Sequence, residues 1–64
     1  MGMTLAQKIH TMRLNYLECR INYDSILESR YTPQFSEITV RDSGDVVRYR
    51  VSGTTPKDLK ITTK

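Results

Sequence analysis

The segment FSEITVRDSGDVVRYRVS, residues Phe35 to Ser52, has the clearest pattern in the sequence, because apolar and polar side chains alternate on both sides of a turn. Alternation with a period of two is typical of β-strands that bury one face. Between the two alternating runs, Asp42-Ser43-Gly44-Asp45 has the composition of a tight turn. We therefore predict an antiparallel β-hairpin over residues 35–52.

The turn also fixes the register of this hairpin, because a two-residue loop at Ser43-Gly44 leaves one way to pair the strands. On the face expected to be buried, the predicted pairs are Val40 with Val47, Ile38 with Tyr49, and Ser36 with Val51. On the opposite face they are Glu37 with Arg50, Thr39 with Arg48, and Arg41 with Val46. Both faces are chemically consistent, which favours this register.

Ahead of the hairpin, the sequence predicts one long helix over residues 4–31. Thr4-Leu5-Ala6-Gln7 has the form of a capping box at its start. Apolar residues then recur at helical spacings of four and three: Leu5, Ile9, Met12, Tyr16, Cys19, Tyr23 and Ile26. Thr32 precedes Pro33 and so disfavours helical geometry, which ends the helix. A break near Asn22 is the alternative, but the uninterrupted spacing argues against it.

Together these elements predict the α+β class in a single small domain, residues 1–64. One long N-terminal amphipathic helix would pack on the antiparallel hairpin. Leu59 and Ile61 alternate with Lys60 and Thr62, so residues 58–63 are expected to add a short third C-terminal strand. A chain of 64 residues permits only one domain.

The predicted helix carries a second apolar stripe, opposite the one described above. A helix that only covers its own hairpin needs a single apolar face. We therefore expect the second stripe to bind a larger protein or a second copy of the chain. The alternative is that these are ordinary exposed side chains of a monomer. The stripe comprises Met3, His10, Leu14, Leu17 and Ile21.

The sequence offers little for catalysis or metal binding, so we expect a non-enzymatic protein without cofactor, metal or small-molecule substrate. Cys19 is the only cysteine, which excludes a disulfide within one chain. With His10 as the only histidine, no tetrahedral set of soft ligands exists. Cys19 lies on the predicted core stripe and is expected to be a buried thiol. His10 is expected at an interface rather than in the role of a general base.

The chain is mildly basic, with ten Lys and Arg against seven Asp and Glu, a net charge of +3 and a pI near 9.3. Some of these cations are expected on the hairpin face away from the helix or just after it. Such a face could bind phosphates or an acidic protein surface, although Glu37 lies among the arginines. The predicted basic face comprises Arg41, Arg48, Arg50, Lys57 and Lys60.

Membrane association is disfavoured, since no apolar run is long enough to span a bilayer and the basic residues of the helix form no single stripe. A free thiol fits a reducing compartment, so we expect the cytoplasm, which would be the host cytoplasm if the protein is phage-encoded. Our first hypothesis is a protein-binding regulator or inhibitor of the kind that phages and mobile elements encode. It would occupy a surface of a larger protein as a homodimer. The alternative is a nucleic-acid-binding dimer that uses the arginine face.

Overall fold

A computed structural model describes residues 2–63 as one helix followed by a four-stranded antiparallel sheet, which confirms the α+β class. Met1 and Lys64, the ends of the predicted domain, lie outside the described residues. The strands are adjacent in the sheet in the order in which they follow in the chain. The elements are α1 (Leu5–Arg20), β1 (Ser25–Tyr31), β2 (Phe35–Asp42), β3 (Asp45–Ser52) and β4 (Lys60–Thr63).

The predicted hairpin is present as β2 and β3, and its register is the predicted one. Val40 lies opposite Val47, Ile38 opposite Tyr49, and Glu37 opposite Arg50. Ser43 and Gly44 form the loop with φ values of 52° and 89°. Positive φ at both loop positions is what a type I′ turn requires, and its twist matches that of the flanking strands.

The predicted helix over residues 4–31 is wrong beyond Arg20. At Ile21 the backbone is already extended, with φ −121° and ψ 135°, and residues 25–31 form strand β1. The residues after Ile21 include Asn22, Asp24 and Ser25, whose side chains compete for backbone hydrogen bonds and weaken a helix. As strand β1, residues 25–31 instead pair with β2 through main-chain hydrogen bonds. The sheet therefore has four strands, not a hairpin with one short addition.

The predicted start of the helix is confirmed. The Thr4 hydroxyl accepts a hydrogen bond from the Gln7 amide at 3.2 Å, and the Gln7 side chain accepts one from the Thr4 amide at 3.0 Å. This reciprocal pair satisfies two of the N–H groups that a helix start leaves without an intrahelical partner.

The core lies between α1 and one face of the sheet, which we call the inner face. Strands β2 and β3 supply most of it, because every second residue of these strands points toward α1. Leu59, in the segment before β4, closes one side. The buried apolar residues are Leu17, Ile38, Val40, Tyr49, Val51 and Leu59.

The helix face assigned to a partner packs largely on the chain's own sheet, which corrects the predicted orientation. Leu17 is 0% exposed, and Leu14 and Ile21 are partly buried against the same core. Of the predicted core stripe, Leu5 is 73% exposed and Cys19 is exposed, so the buried-thiol prediction is wrong. The physical reason is that the predicted stripe beyond Cys19 lies outside the helix, with Ile26 in β1, so the shorter helix packs with a different face toward the sheet.

Candidate functional site

The face of the sheet that points away from α1, which we call the outer face, holds most of the predicted basic residues. On β2, the inner-face residues Ser36, Ile38 and Val40 are buried, so the alternate residues of that strand point outward. Residues directly opposite each other in an antiparallel sheet share a face. The strand register therefore assigns every residue of the outer face.

The outer face consists of cross-strand rows of mostly polar residues. One row runs from Arg30 through Glu37 and Arg50 to Thr62, and the next from Glu28 through Thr39 to Arg48. A third row joins Ser25, Arg41 and Val46, and a fourth joins Phe35, Ser52 and Lys60.

The charge of these rows is unbalanced. They contain five cations and two carboxylates, a net charge of +3, which equals the net charge of the whole sequence. The other five basic and five acidic residues of the sequence cancel. The five cations of the outer face are Arg30, Arg41, Arg48, Arg50 and Lys60.

Arg50 is the most constrained of these cations. Its guanidinium lies 4.3 Å from the centre of the Phe35 ring, and its Nη2 donates to a carboxylate oxygen of Glu37 at 3.3 Å. Its Nε is buried without a hydrogen-bond partner in the described part of the chain. Stacking and the ion pair together hold Arg50 along the sheet surface. The Arg50 guanidinium thus covers one face of the Phe35 ring.

Arg41 and Arg48 are exposed to solvent, on neighbouring strands of the outer face. Lys60 begins β4 opposite Ser52 and belongs to the same face. Lys57, by contrast, lies in the turn before β4 and outside the paired rows. The structure therefore brings four of the five predicted basic residues together and leaves Lys57 at the side.

Sequence reasoning missed Arg30 and Glu28 as members of this face, because it placed both on a helix. They form an ion pair at 3.0 Å on β1. The signal that could have found them is the composition of Asn22-Tyr23-Asp24-Ser25, which is poor for a helix interior. Treating that tetrapeptide as a boundary would have given residues 25–31 to a strand.

His10 contacts its own sheet rather than an open surface. Its Nδ1 lies 2.8 Å from the Ser36 hydroxyl, and its ring stacks on Tyr31 with centroids 4.5 Å apart. Burial, and secondly the positive charge of Arg13, hold the pKa of His10 below its ordinary value of 6.5. These contacts give His10 a packing role, and Met3, ahead of the helix, remains exposed.

Next to His10, Arg13 is fully buried and joins the β1–β2 and β3–β4 loops at one end of the sheet. It donates to the carbonyl oxygens of Gly53 at 2.8 Å, Thr32 at 2.9 Å and Pro33 at 2.9 Å. Burial lowers the pKa of its guanidinium, which is nevertheless protonated at neutral pH because its ordinary pKa is so high. Sequence reasoning did not predict this role, since an arginine on a helix is normally exposed.

A shallow apolar groove of about 520 Å³ lies between the C-terminal half of α1 and the segment before β4. The Arg20 guanidinium stacks on Tyr16 at 4.4 Å along it. Met12 and Tyr16 of the predicted core stripe line this groove as well as packing against the core. The lining residues are Met12, Asn15, Tyr16, Cys19, Arg20, Pro56 and Leu59.

Within residues 2–63, no group of three or more His, Cys, Asp or Glu side chains is placed to hold a metal ion. In the same part of the chain, no helix has the length and apolar character needed to cross a membrane. Comparison with protein-family models, curated proteins and solved structures gave no match.

Proposed function

We propose that the protein binds nucleic acid through the outer face of its sheet. The observation that carries the proposal is the distribution of charge: five cations against two carboxylates on one exposed face, with a neutral balance over the rest of the sequence. Contacts of Lys and Arg with phosphates supply most of the affinity of proteins that bind nucleic acid without sequence preference.

The shape of the face favours a single strand over the groove of a duplex. Four strands measure about 19 Å across, wider than the major groove of B-DNA at about 12 Å. A single strand can lie across such a sheet with its bases against flat side chains. The Arg50 guanidinium, stacked on the Phe35 ring, offers one flat surface for a base, and Arg41 and Arg48 on the same face would contact phosphates.

Fluorescence polarisation with labelled single-stranded RNA, single-stranded DNA and a DNA duplex of matched length tests the proposal. If all five cations neutralise phosphates, affinity for a single strand should fall about 100-fold between 50 and 200 mM salt. The duplex should bind more weakly than either single strand. Absence of binding at low salt would refute the proposal.

A pair of matched double variants locates the binding surface. Arg41→Glu with Arg48→Glu should weaken binding at least tenfold and make the salt dependence shallower, because two phosphate contacts are lost. Lys8→Glu with Arg20→Glu makes the same change in net charge on α1, whose exposed side lies opposite the outer face. It should have a much smaller effect. Equal losses in the two variants would mean that net charge alone attracts the strand.

A protein-binding regulator is the second candidate, and the mixed charge of the outer face favours it. Glu28 and Glu37 lie among the arginines, and such an alternating pattern suits a protein surface with the complementary pattern. The predicted helix stripe no longer supports this candidate, because Leu17 is buried. Binding to a protein partner that persists above 200 mM salt, together with no affinity for oligonucleotides, would favour the regulator.

A further inference from the structure

Strand β1 is an open edge of the sheet with an unusual amount of exposed apolar surface. All seven of its residues are exposed. Ile26, Leu27 and Tyr31 are 43%, 49% and 42% exposed, which makes them half of the large exposed hydrophobic residues in the described chain. Edge strands present unpaired main-chain groups and are ready templates for another strand. The opposite edge, β4, has only four residues.

The main-chain groups available on this edge can be assigned from the ladder with β2. The Thr32 amide donates to the Phe35 carbonyl at 2.7 Å, which continues the register of the pair Tyr31–Ser36. Because hydrogen-bonded and non-hydrogen-bonded pairs alternate in an antiparallel ladder, Arg30 and Glu28 direct their main-chain groups toward β2. Ser29 and Tyr31 direct theirs outward.

The sequence of β1 is complementary to itself in one antiparallel register. A two-fold axis through Ser29 places Glu28 of one copy opposite Arg30 of the other, twice, on the outer face. It also places Leu27 opposite Tyr31. Axes through Glu28 or Arg30 would instead bring like charges together, which is destabilising. Only the axis through Ser29 gives charge complementarity at both positions.

We propose that the protein forms a homodimer in which two β1 strands pair antiparallel about Ser29, giving one continuous eight-stranded sheet. The two Ser29 residues would exchange two main-chain hydrogen bonds, and each Tyr31 would lie opposite Leu27 of the other copy. The bulge between Ile26 and Glu28 lies toward the end of the paired region, and Glu28 to Tyr31 run in regular register. α1 packs on β2 and β3, so the two helices would be about 20 Å apart and would not clash.

Charge reversal on the full-length chain tests the register. Glu28→Arg or Arg30→Glu should each weaken the dimer at least about tenfold, because each places like charges at both symmetric positions. The double variant Glu28→Arg with Arg30→Glu should restore dimerisation. Most decisively, the two single variants should form a heterodimer when mixed, since their charges are then complementary. Sedimentation equilibrium measures association in the two single variants, the double variant and the mixture of single variants. Circular dichroism checks that each variant is folded.

Ser29→Pro provides an independent test of the pairing, because the Ser29 amide points away from β2. Proline there removes the central intermolecular donor and leaves the β1–β2 ladder intact. We expect a folded monomer. The proposal is overturned if the wild-type chain stays monomeric up to about 1 mM, if the mixed single variants fail to associate, or if Ser29→Pro dimerises like the wild type. A monomer that instead binds an extended peptide along β1 would assign this edge to another protein and also overturn the proposal.

Discussion

Arg13 holds the β1–β2 and β3–β4 loops in place. Its hydrogen bonds go to three main-chain carbonyl groups and, at 3.3 Å, to the hydroxyl of Ser36. A guanidinium suits this task because its donors form a rigid planar fork. Carbonyl groups of the segments before β2 and after β3 thereby gain a hydrogen-bond donor where the fold partly shields them from water.

Replacing Arg13 should therefore be costly. Arg13→Met keeps much of the apolar stem and leaves the three carbonyl acceptors without their donor, so we expect a loss of about 3 kcal/mol in the free energy of unfolding. Urea denaturation measures it. Arg41→Met, at an exposed position on the outer face, should change stability by less than about 0.5 kcal/mol. Equal stability of the two variants would contradict a structural role for Arg13.

His10 should make stability depend on pH. Its pKa is held below 6.5 in the folded chain by burial and by Arg13, so the unfolded chain binds the proton more readily. Stability contributed by the neutral ring is then complete above about pH 6.5 and is lost as the pH falls below that value. The urea midpoint of the wild type should drop between pH 7.5 and 5.5, a window in which ordinary carboxylates stay ionised.

The matched variant for this effect is His10→Asn, which keeps a polar group near Ser36 and does not titrate. Its midpoint should be nearly flat over the same range. An NMR titration of the His10 ring gives the pKa directly. A value at or above 6.5 would contradict the proposed environment.

At the scale of elements, the capping box makes the start of α1 independent of its packing. Thr4→Ala removes the acceptor for the Gln7 amide and should cost about 1 kcal/mol in the free energy of unfolding. Thr11→Ala, at an exposed position inside the helix, should be neutral or slightly stabilising because alanine is the better helix former. Similar thermal midpoints for the two variants would show that the cap adds nothing.

The two ends of α1 differed in how well the sequence predicted them. The start depends on contacts three residues apart, which the sequence contains. The end depends on whether residues 25–31 gain more from a helix or from pairing with β2. Tyr23 and Ile26 happen to continue the helical spacing, so periodicity alone favoured the wrong outcome.

In the whole molecule, α1 packs on the inner face of the sheet, and the outer face points away from it. The centre of the buried helix face is occupied by Arg13 and Leu17, four residues apart on one side of the cylinder. Apolar residues flank this centre on both sides, which explains why the sequence showed two stripes. The outer face is not covered by the helix and carries most of the charged residues of the sheet.

The proposed dimer would extend that free surface. Two outer faces joined at β1 would form one continuous sheet and double the number of cations available to a single ligand. A single nucleic-acid strand that contacts both halves of the dimer would then bind more tightly through effective concentration, without any new type of contact. Variants of Arg41 and Arg48 test ligand binding separately from dimerisation, because these residues lie on β2 and β3 rather than on the edge strand.

Local patterns in the chain were enough to predict the hairpin, its turn, its register and the cap of the helix, because each depends on residues that are near one another in the chain. Long-range packing sets where the helix ends and which of its faces is buried. It also brings together on one face the cations Arg30, Arg41, Arg48, Arg50 and Lys60. These features depend on whether β1 pairs with β2 and where the sheet lies against α1. Such contacts join distant residues, and their free energy outweighs local periodicity.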